Sequence, residues 1–362
     1  MKYLFILGRN IALSIAEIRA YFNKENKKII NSSLRGNGFL VELEETLDAG
    51  IVDELGGVIS LGIVVCDIKE IDRKEVYFGE ENKFNYVIWD FSDKTEYIKD
   101  YLKRRFRNEK LKTTEKKLTG RMSLQEGGKT ENLISNLIDE EYFVFDNYFG
   151  RITEKCDYNK IEERDMKKPV RREDLAISPR LAKIIINLSE VKEGEFLVDG
   201  FCGIGVILQE ALLKKIKVIG IDKDSKAIQG ARENLKWFGF SNSDFKLFND
   251  DSSKLKITPV KALVSEPDFG ETLRKTPTKG EAELMIKKFE DLIIRVLGNM
   301  KKYAEKRFVF TSPLIRIGKE RIGCNFNKMC NYTGLKLKQG FPIPEFRENQ
   351  IVGREIVVLE KI

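Results

Sequence analysis

The chain has 362 residues, of which 42% are hydrophobic and 33% are charged, and it carries a formal net charge of +7. These values predict a globular protein of two or three domains whose basic bias is compatible with a nucleic-acid partner. The sequence contains no histidine, no Cys-x-x-Cys pair and no run of about 18 apolar residues, the length of a membrane span. We therefore do not expect histidine-based acid–base chemistry, a bound metal, a disulfide framework or a membrane partner. We expect a cytoplasmic location.

The first predicted elements form a small α+β module. An apolar strand is predicted at Lys2 to Leu7, and a second apolar run covers Phe39 to Leu43. Between them, Ser14 and Glu17 lie three residues apart ahead of apolar positions at helical spacing, which is the pattern of a helix-capping box. We therefore predict an N-terminal module over residues 1–60.

The next region, residues 61–163, mixes strand-like runs with a basic segment. Between Lys99 and Arg121 there are ten Lys or Arg residues against three acidic ones, and Phe106 is one of the interleaved aromatic residues. Such a face can follow the phosphates of a nucleic acid, although an ordinary solvated amphipathic helix has the same pattern. Aromatic and polar residues then alternate over residues 140–152, which predicts strands.

A basic linker is predicted at residues 164–178, because five cationic side chains and a proline occur within its first nine residues. Ser178 and Pro179 then supply an N-cap and a first residue for a helix that continues over Arg180 to Leu188. From Glu195 onward strands alternate with helices, which predicts a mostly parallel sheet. The predicted strands are Phe196 to Asp199, Val218 to Asp222, Leu263 to Glu266, Phe308 to Thr311 and Ile356 to Leu359.

The most informative segment is a buried strand, a glycine-rich turn, a helix and a second strand over residues 196–222. Its three glycines allow the backbone to turn sharply and approach a ligand. Asp222 ends the second strand 23 residues after Asp199, near the ~20-residue spacing at which an acid meets ribose hydroxyls. The last glycine of a dinucleotide-binding pattern is missing, and Asp199 would repel a pyrophosphate. A carboxylate at this turn suits a cationic ligand group, such as the amino group and sulfonium of S-adenosylmethionine.

The segment Asp-Gly-Phe-Cys-Gly-Ile-Gly at 199–205 resembles motif I of class I methyltransferases, in a form common among RNA methyltransferases. Together with Arg-Asp-Met-Lys-Lys-Pro at 164–169 and Ser-Pro-Arg-Leu-Ala-Lys at 178–183, it resembles the archaeal-type tRNA (guanosine-10 N2)-methyltransferases. The opening ten residues and Ser-Ile-Ala-Glu-Ile at 14–18 are also similar to that family. The resemblance covers most of the chain and implies an α/β protein. It implies a ferredoxin-like module and a THUMP RNA-binding domain before a Rossmann-like class I methyltransferase domain at 179–362.

The resemblance also implies a donor site. Asp199, Gly203 and Gly205 match motif I and are expected to contact the methionine part of S-adenosylmethionine, with Phe201 and Cys202 between them. Asp222 is expected to accept hydrogen bonds from the ribose, and Asp250 to face the adenine amino group. Asp251 is the alternative to Asp250. Cys202 is interpreted as a small packed side chain rather than a nucleophile, because no general base lies near it in the sequence.

The catalytic motif departs from the family pattern. Amino-group methyltransferases carry Asp or Asn, two prolines and an aromatic residue after the fourth strand, and the acid or amide oxygen and a backbone carbonyl orient the amine. Here the corresponding residues are Glu266, Pro267, Asp268 and Phe269. Glu266 has acceptor chemistry but an extra methylene, Asp268 stands in place of a proline, and Phe269 keeps the stacking ring. A shifted register, in which both acids face the substrate, is an alternative.

Two later segments are similar in position to parts of the family. A loop after the motif, residues 272–280, carries Arg274, Lys275 and Lys279, which suit either an RNA backbone or a solubilising role. The end of the chain resembles the family's closing hairpin, and a structural role is expected for its Arg354.

The leading hypothesis is an S-adenosylmethionine-dependent tRNA methyltransferase that acts on the exocyclic N2 amine of a guanosine. The alternative is a THUMP-type RNA-binding protein that retains the donor pocket with altered or lost catalysis. A DNA adenine-N6 enzyme is a third hypothesis with less support, because the N-terminal half resembles an RNA-binding arrangement. Some relatives need a small activator protein. The sequence leaves open whether this chain does, and it also leaves open the oligomeric state.

Overall fold

A computed structural model describes residues 1–118, 120–125, 129–132, 137–172, 177–270 and 273–361, without the side chains of residues 131 and 132. The chain divides into two compact units. The first contains Met1–Ile15 and Glu25–Asp157, and the second contains Ala16–Lys24 and Tyr158–Ile362.

The described part of the first unit contains strands, two further α-helices, a 3-10 helix and the start of the first helix. In chain order its elements are β1 (Lys2–Leu7), α1 (Ile11–Lys24, whose second half belongs to the second unit), β2 (Ile29–Arg35), β3 (Gly38–Leu43), α2 (Ile51–Glu54), β4 (Val58–Asp67), a 3-10 helix (Ile68–Arg73), β5 (Lys83–Phe91), α3 (Thr95–Asn108), β6 (Lys112–Glu115), β7 (Gly120–Ser123), β8 (Lys129–Asn132), β9 (Glu140–Phe145) and β10 (Tyr148–Lys155).

Eight of these strands form one mixed sheet in the order β2-β3-β1-β4-β10-β9-β5-β6, and β7 pairs with β8 separately. The predicted boundary between residues 60 and 61 falls inside β4, which pairs with β1 and β10. Phe106 of α3 is fully buried against the sheet, and its ring lies edge-on to Tyr86 at a centroid distance of 5.4 Å. Phe106 is therefore a core residue and cannot stack on a nucleic acid.

The predicted capping box at the start of α1 is wrong. The helix begins three residues before Ser14, and Asn10 is its cap, because the Leu13 N–H donates to Asn10 Oδ1 at 3.0 Å. Ser14 lies inside the helix and its hydroxyl donates to the Asn10 carbonyl at 2.8 Å. Glu17 accepts a hydrogen bond from Asn187 Nδ2 at 2.7 Å within the second unit. Asn and Ser are comparable caps, so the sequence pattern alone could not choose between the two positions.

The second unit alternates strands and helices. Its elements are α4 (Tyr158–Met166), α5 (Pro179–Leu188), β11 (Phe196–Asp199), α6 (Val206–Leu213), β12 (Lys217–Asp222), α7 (Ser225–Trp237), β13 (Phe245–Asn249), β14 (Val260–Ser265), α8 (Lys279–Met300), β15 (Ala304–Ile317), β16 (Glu320–Ile322), α9 (Phe326–Thr333), β17 (Leu335–Leu337), β18 (Ile343–Glu345) and β19 (Val352–Lys361).

The sheet of the second unit has the order β13-β12-β11-β14-β15-β19-β17, with β16 on β15 and β18 on β19. The first five strands are parallel, as the alternation of strands and helices predicted, and β19 is antiparallel to β15. Phe308 of β15 packs in a core with Phe289 of α8, whereas the adjacent Arg307 donates to the Leu188 carbonyl of α5 at 2.9 Å. Successive side chains point to opposite faces of a strand, so helices cover both faces of this sheet.

Local signals in the second unit predicted the start of α5 correctly, whereas β14 ends at Ser265 rather than Glu266 and β15 extends well beyond the predicted Phe308 to Thr311. Ser178 caps α5, with its hydroxyl 3.2 Å from the Leu181 N–H, and Pro179 is the first helical residue. The predicted linker at 164–178 starts within the last turn of α4, and its residues 173–176 lie outside the described residues. Thr272, the first residue of the predicted basic loop, is also outside them.

Candidate active site

The site lies where the strand order of the second sheet reverses direction. β11 is flanked by β12 on one side and β14 on the other. The chain therefore continues from β11 into one half of the sheet, through β12 and β13, and then crosses to the other half at β14. A crevice forms at the carboxyl ends of the strands at such a switch point, and ligands bind there in open α/β sheets. The residues at these three ends are Asp199, Asp222 and Ser265.

Asp199 is almost completely buried at the end of β11, with 1% of its surface exposed. Its Oδ1 accepts hydrogen bonds from the Phe201 N–H at 3.0 Å and from the Ser265 hydroxyl at 2.7 Å. The pKa of Asp199 is raised to about 7, chiefly by burial. The two hydrogen bonds act to lower this pKa, whereas the charges of Asp222 and Glu266 act to raise it. Its Oδ2 is buried and has no hydrogen-bond partner among the described residues.

The glycine turn ties β11 to the end of β12. The Gly203 N–H donates to Asp222 Oδ2 at 2.9 Å, and the Asp224 N–H donates to Asp222 Oδ1 at 2.9 Å. Gly203 has φ of 51° and Gly205 has φ of 88°, in the left-handed region where a side chain is strained. A Cβ on Gly205 would also lie 3.3 Å from the Cβ of Ala231, so this position needs glycine for packing as well.

These strand ends open into a cavity of about 590 Å³, within the usual range for small-molecule sites. Its charged lining comprises five carboxylates and two guanidinium groups, so its field favours a cationic ligand. The charged residues are Asp199, Asp222, Asp224, Glu266, Asp268, Arg172 and Arg354.

The motif after β14 forms one wall of the cavity. Glu266 Oε1 accepts a hydrogen bond from Nε of Arg354, which lies on β19. The Arg354 guanidinium carbon is 5.9 Å from the ring centroid of Phe269. Burial raises the pKa of Glu266, and the adjacent Arg354 acts to lower it. Asp268 Oδ1 accepts from the Gly270 N–H at 2.9 Å, which holds the loop in a turn.

The cavity fits the donor that the sequence predicts. A buried carboxylate oxygen without a partner costs free energy unless a ligand supplies a donor, and Asp199 Oδ2 is such an atom among the described residues. An ammonium group would satisfy its hydrogen-bonding capacity and its charge together. The adjacent glycine turn leaves the backbone accessible, and Asp222 lines the same cavity.

The structure brings most of the predicted site residues into this lining. Those present are Asp199, Phe201, Cys202, Gly203, Asp222, Glu266, Pro267, Asp268 and Phe269. Gly205 lies one turn further on, as the N-cap of α6. Asp250 is exposed and is not one of the lining residues, although its N–H donates to the Asp222 carbonyl at 3.1 Å. Its predicted contact with the adenine therefore stays a prediction.

Three contributors were missed or misjudged by sequence reasoning. The Ser265 hydroxyl bridges two strand ends, since it donates to Asp199 and accepts from the Gly200 N–H at 2.8 Å. Its place just before the motif was a usable signal. Arg172 lies in the predicted linker and pairs with Asp224 at 2.6 Å beside the cavity. Arg354 lines the cavity and pairs with Glu266, rather than having only the structural role expected for it.

Comparison with known proteins gives the class of this unit. The family model UPF0020 (RMKL-like, methyltransferase domain) matches residues 169–304. The crystal structure of TrmN from Thermus thermophilus superposes with a TM-score of 0.51 over all of both chains at 12% identity, which shows a shared fold. The fold and the site therefore define a methyltransferase domain of the class that uses S-adenosylmethionine.

Sequence relatives identify a family within this class of methyltransferases. A tRNA (guanine(10)-N2)-dimethyltransferase from Methanothermobacter thermautotrophicus is 38% identical over 29% of this chain and 31% of its own length. A probable enzyme of the same name from Methanothermococcus thermolithotrophicus is 31% identical over 32% of this chain and 73% of its own length. A Pyrococcus abyssi protein of that name is 27% identical over 75% and 78%, respectively. The chain belongs to the tRNA (guanine(10)-N2)-methyltransferase family.

The matched segments differ in extent. The alignment spans only about a third of the Methanothermobacter relative, at 31% of its length. No helix in the part of the chain that the structure describes is long and apolar enough to cross a membrane. The same residues contain no group of three or more Cys, Asp or Glu placed to hold a metal ion.

Proposed function

We propose that this protein transfers a methyl group from S-adenosylmethionine to the exocyclic N2 amine of a guanosine in tRNA. The observation that carries the proposal is that one cavity is lined both by the buried Asp199 carboxylate and by the Glu266–Phe269 motif. A donor site and an amine-acceptor site are thereby adjacent. The family membership supports tRNA as the substrate, and a tRNA substrate favours a cytoplasmic location.

The residues of the donor half bind and orient S-adenosylmethionine. Asp199 holds the amino group through Oδ2, which has no hydrogen-bond partner in the described part of the chain, and the Gly203 turn lies against the methionine part. Asp222 accepts hydrogen bonds from the ribose hydroxyls. S-adenosylmethionine supplies an electrophilic methyl group when it is bound, and the acidic lining favours its positive charge.

The residues of the acceptor half orient the amine. Glu266 and the backbone carbonyl of Pro267 accept its two N–H groups, which turns the nitrogen lone pair toward the donor half. Phe269 stacks on the base, which must leave its neighbours to enter the cavity. Glu266 then holds the proton that the amine loses, so no histidine is needed.

Transfer of labelled methyl groups to undermodified tRNA tests this function. N2-methylguanosine is expected in the digested product, detected by mass analysis of the nucleosides. Duplex DNA at the same salt concentration should remain unlabelled. Absence of N2-methylguanosine, with donor binding demonstrated by calorimetry, would contradict the proposal.

Two observations favour a second candidate, an RNA-binding protein with a donor pocket but no turnover. Glu266 is already engaged by Arg354, and Asp268 replaces the rigid proline of the family motif. Under this candidate, Glu266→Ala leaves both tRNA affinity and any background labelling unchanged. A large loss of turnover in Glu266→Ala, with tRNA affinity retained, rules it out.

A further inference from the structure

An ion pair joins the acceptor motif to a distant strand. Nε of Arg354 donates to Glu266 Oε1, and the two residues are 88 positions apart in the sequence. The side chain of Glu266 is 10% exposed and that of Arg354 is 26% exposed, so water screens this pair less than a surface pair. The contact therefore constrains a side chain in the wall of the cavity.

The backbone around Arg354 is firmly held. β19 pairs with β15 over nine residues, with Arg354 opposite Pro313, and β18 pairs on its other side with Glu345 opposite Arg354. Arg354 thus projects from a strand that is hydrogen-bonded on both edges. A guanidinium on such a strand is a rigid reference point for a residue on a loop.

Glu266 needs such a reference point more than the usual Asp or Asn does. Its extra methylene adds a rotatable bond, which would let the carboxylate reach several positions and would favour protonation when it is buried. Arg354 limits the first effect because it binds one oxygen, and it opposes the second because it supplies a positive charge. The other charged residues that line the cavity around Glu266 are Asp199, Asp222, Asp224, Asp268 and Arg172.

We propose that Arg354 is the positioning residue of the acceptor site, which holds Oε1 of Glu266 so that Oε2 accepts the N–H of the substrate amine. This role rests on the proposed function. It explains how a motif with Glu in place of Asp or Asn keeps an acceptor at a fixed place. The nearby Phe269 ring, 5.9 Å from the Arg354 guanidinium, is held in the same assembly.

Turnover measurements on Arg354→Gln and Arg354→Lys test the role. Arg354→Gln should lower kcat by about 10- to 100-fold, as expected for a misplaced acceptor, while donor Kd and tRNA KM change less than about threefold. The acidic limb of its kcat–pH profile should move to higher pH, because the charge that lowers the pKa of Glu266 is gone. Arg354→Lys should restore the position of that limb but only part of kcat, since an ammonium keeps the charge without the planar fork.

Two further variants separate positioning from structural support. Glu266→Asp shortens the side chain away from Arg354, so combining it with Arg354→Gln should add little to the loss in either single variant. Arg295→Gln, on the exposed face of α8, is the matched control and should leave kcat and the pH profile unchanged. A purely structural role predicts instead that Arg354→Gln lowers the melting temperature and folded fraction with an unaltered pH profile, and that result overturns the proposal.

A measurement without RNA distinguishes failure of this inference from failure of the proposed function. The infrared carboxyl band that disappears on Glu266→Gln reports the titration of Glu266 in the protein alone. Its midpoint should lie higher in Arg354→Gln than in the protein with Arg354. If tRNA is not methylated, the proposed function fails. The role of Arg354 in positioning Glu266 is overturned only if the midpoint of the Glu266 titration is the same in Arg354→Gln as in the parent protein.

Discussion

At the scale of single residues, Asp199 combines burial with an incomplete set of hydrogen bonds. Its Oδ1 is satisfied by Phe201 and Ser265, whereas its Oδ2 has no partner among the described residues. A carboxyl whose pKa is about 7 is partly protonated near neutrality. Binding of an ammonium group favours the charged form, so donor binding and proton release are coupled.

Asp199→Asn should therefore weaken the donor and remove this coupling. We expect Kd for S-adenosylmethionine to rise on the order of 10- to 100-fold at pH 8, because the variant cannot form a hydrogen bond between charged groups. With Asp199 present, Kd should rise as the pH falls below about 7, and calorimetry in buffers of different ionisation enthalpy should detect proton release. The variant should show neither effect.

The matched control is Asp244→Asn. Asp244 precedes β13 at the amino end of the strand, away from the crevice at the carboxyl ends. Donor affinity in this variant should keep both its magnitude and its pH dependence. Equal donor affinity in Asp199→Asn and the parent protein would refute the assigned role of Asp199.

At the scale of elements, the turn between β11 and α6 depends on two left-handed glycines. Gly205→Ala should lower the free energy of unfolding by roughly 1–2 kcal/mol, because φ is 88° there and the new Cβ meets Ala231. Gly298→Ala, inside α8 with open space around its Cβ position, should instead stabilise by about 0.5–1 kcal/mol. Urea unfolding of the two variants measures the contrast, and effects of the same sign would contradict the explanation.

Some elements of the site could be predicted from local sequence patterns and others could not. The strand ends that carry Asp199 and Asp222, and the helix cap at Ser178, follow from local patterns within a few residues. Arg354 could not be found this way, because its contact with Glu266 depends on β15 lying between β14 and β19. The sheet order, not any local spacing, brings that arginine over the motif. The family resemblance was confirmed, while the roles of the individual site residues stay predictions.

At the scale of the whole molecule, buried carboxyl groups should make stability depend on pH. Burial raises the pKa of Asp199 and that of Glu355 to about 7 each. Because these folded-state pKa values exceed the ordinary values of about 4, their stabilisation is fully present only below about pH 4 and is lost progressively as the pH rises from there through 7. The slope is at most about 1.4 kcal/mol per pH unit for each carboxyl.

The free energy of unfolding without donor should therefore fall between pH 5.5 and pH 8, measured by urea titration at each pH about half a unit apart. An Asp199→Asn, Glu355→Gln double variant should have a flatter profile. Glu320→Gln, at an exposed position of β16, should leave the profile unchanged. A double variant with the original slope would show that other groups set it.

The basic segment of the first unit has fewer available cations than its composition indicates. Lys99 pairs with Glu96 at 2.6 Å, Lys103 with Glu115 at 2.9 Å and Arg105 with Glu109 at 2.8 Å. Exposed Arg104 and Arg107 lie on the same helix, α3. Phosphate contacts by this helix should therefore come chiefly from these two arginines.

Arg104→Gln with Arg107→Gln should weaken tRNA binding and reduce the slope of log K against log salt by roughly 0.7–0.9 for each phosphate that the variant no longer neutralises. Lys103→Gln, which removes a cation already paired with Glu115, should change the slope less. Filter binding over a range of potassium chloride concentrations gives these slopes. Identical salt slopes in the parent protein, the double arginine variant and Lys103→Gln would show that other surfaces bind the RNA.

The position of Arg354 on β19 has a consequence for biosynthesis. During translation, β14 and Glu266 leave the ribosome long before residues 352–361, which form the strand between β15 and β17. Until then, β15 has an unpaired edge and the acceptor carboxylate has no arginine. Under the role proposed for Arg354, a nascent chain can form its donor crevice early, whereas its acceptor site is complete only after this late strand has been inserted.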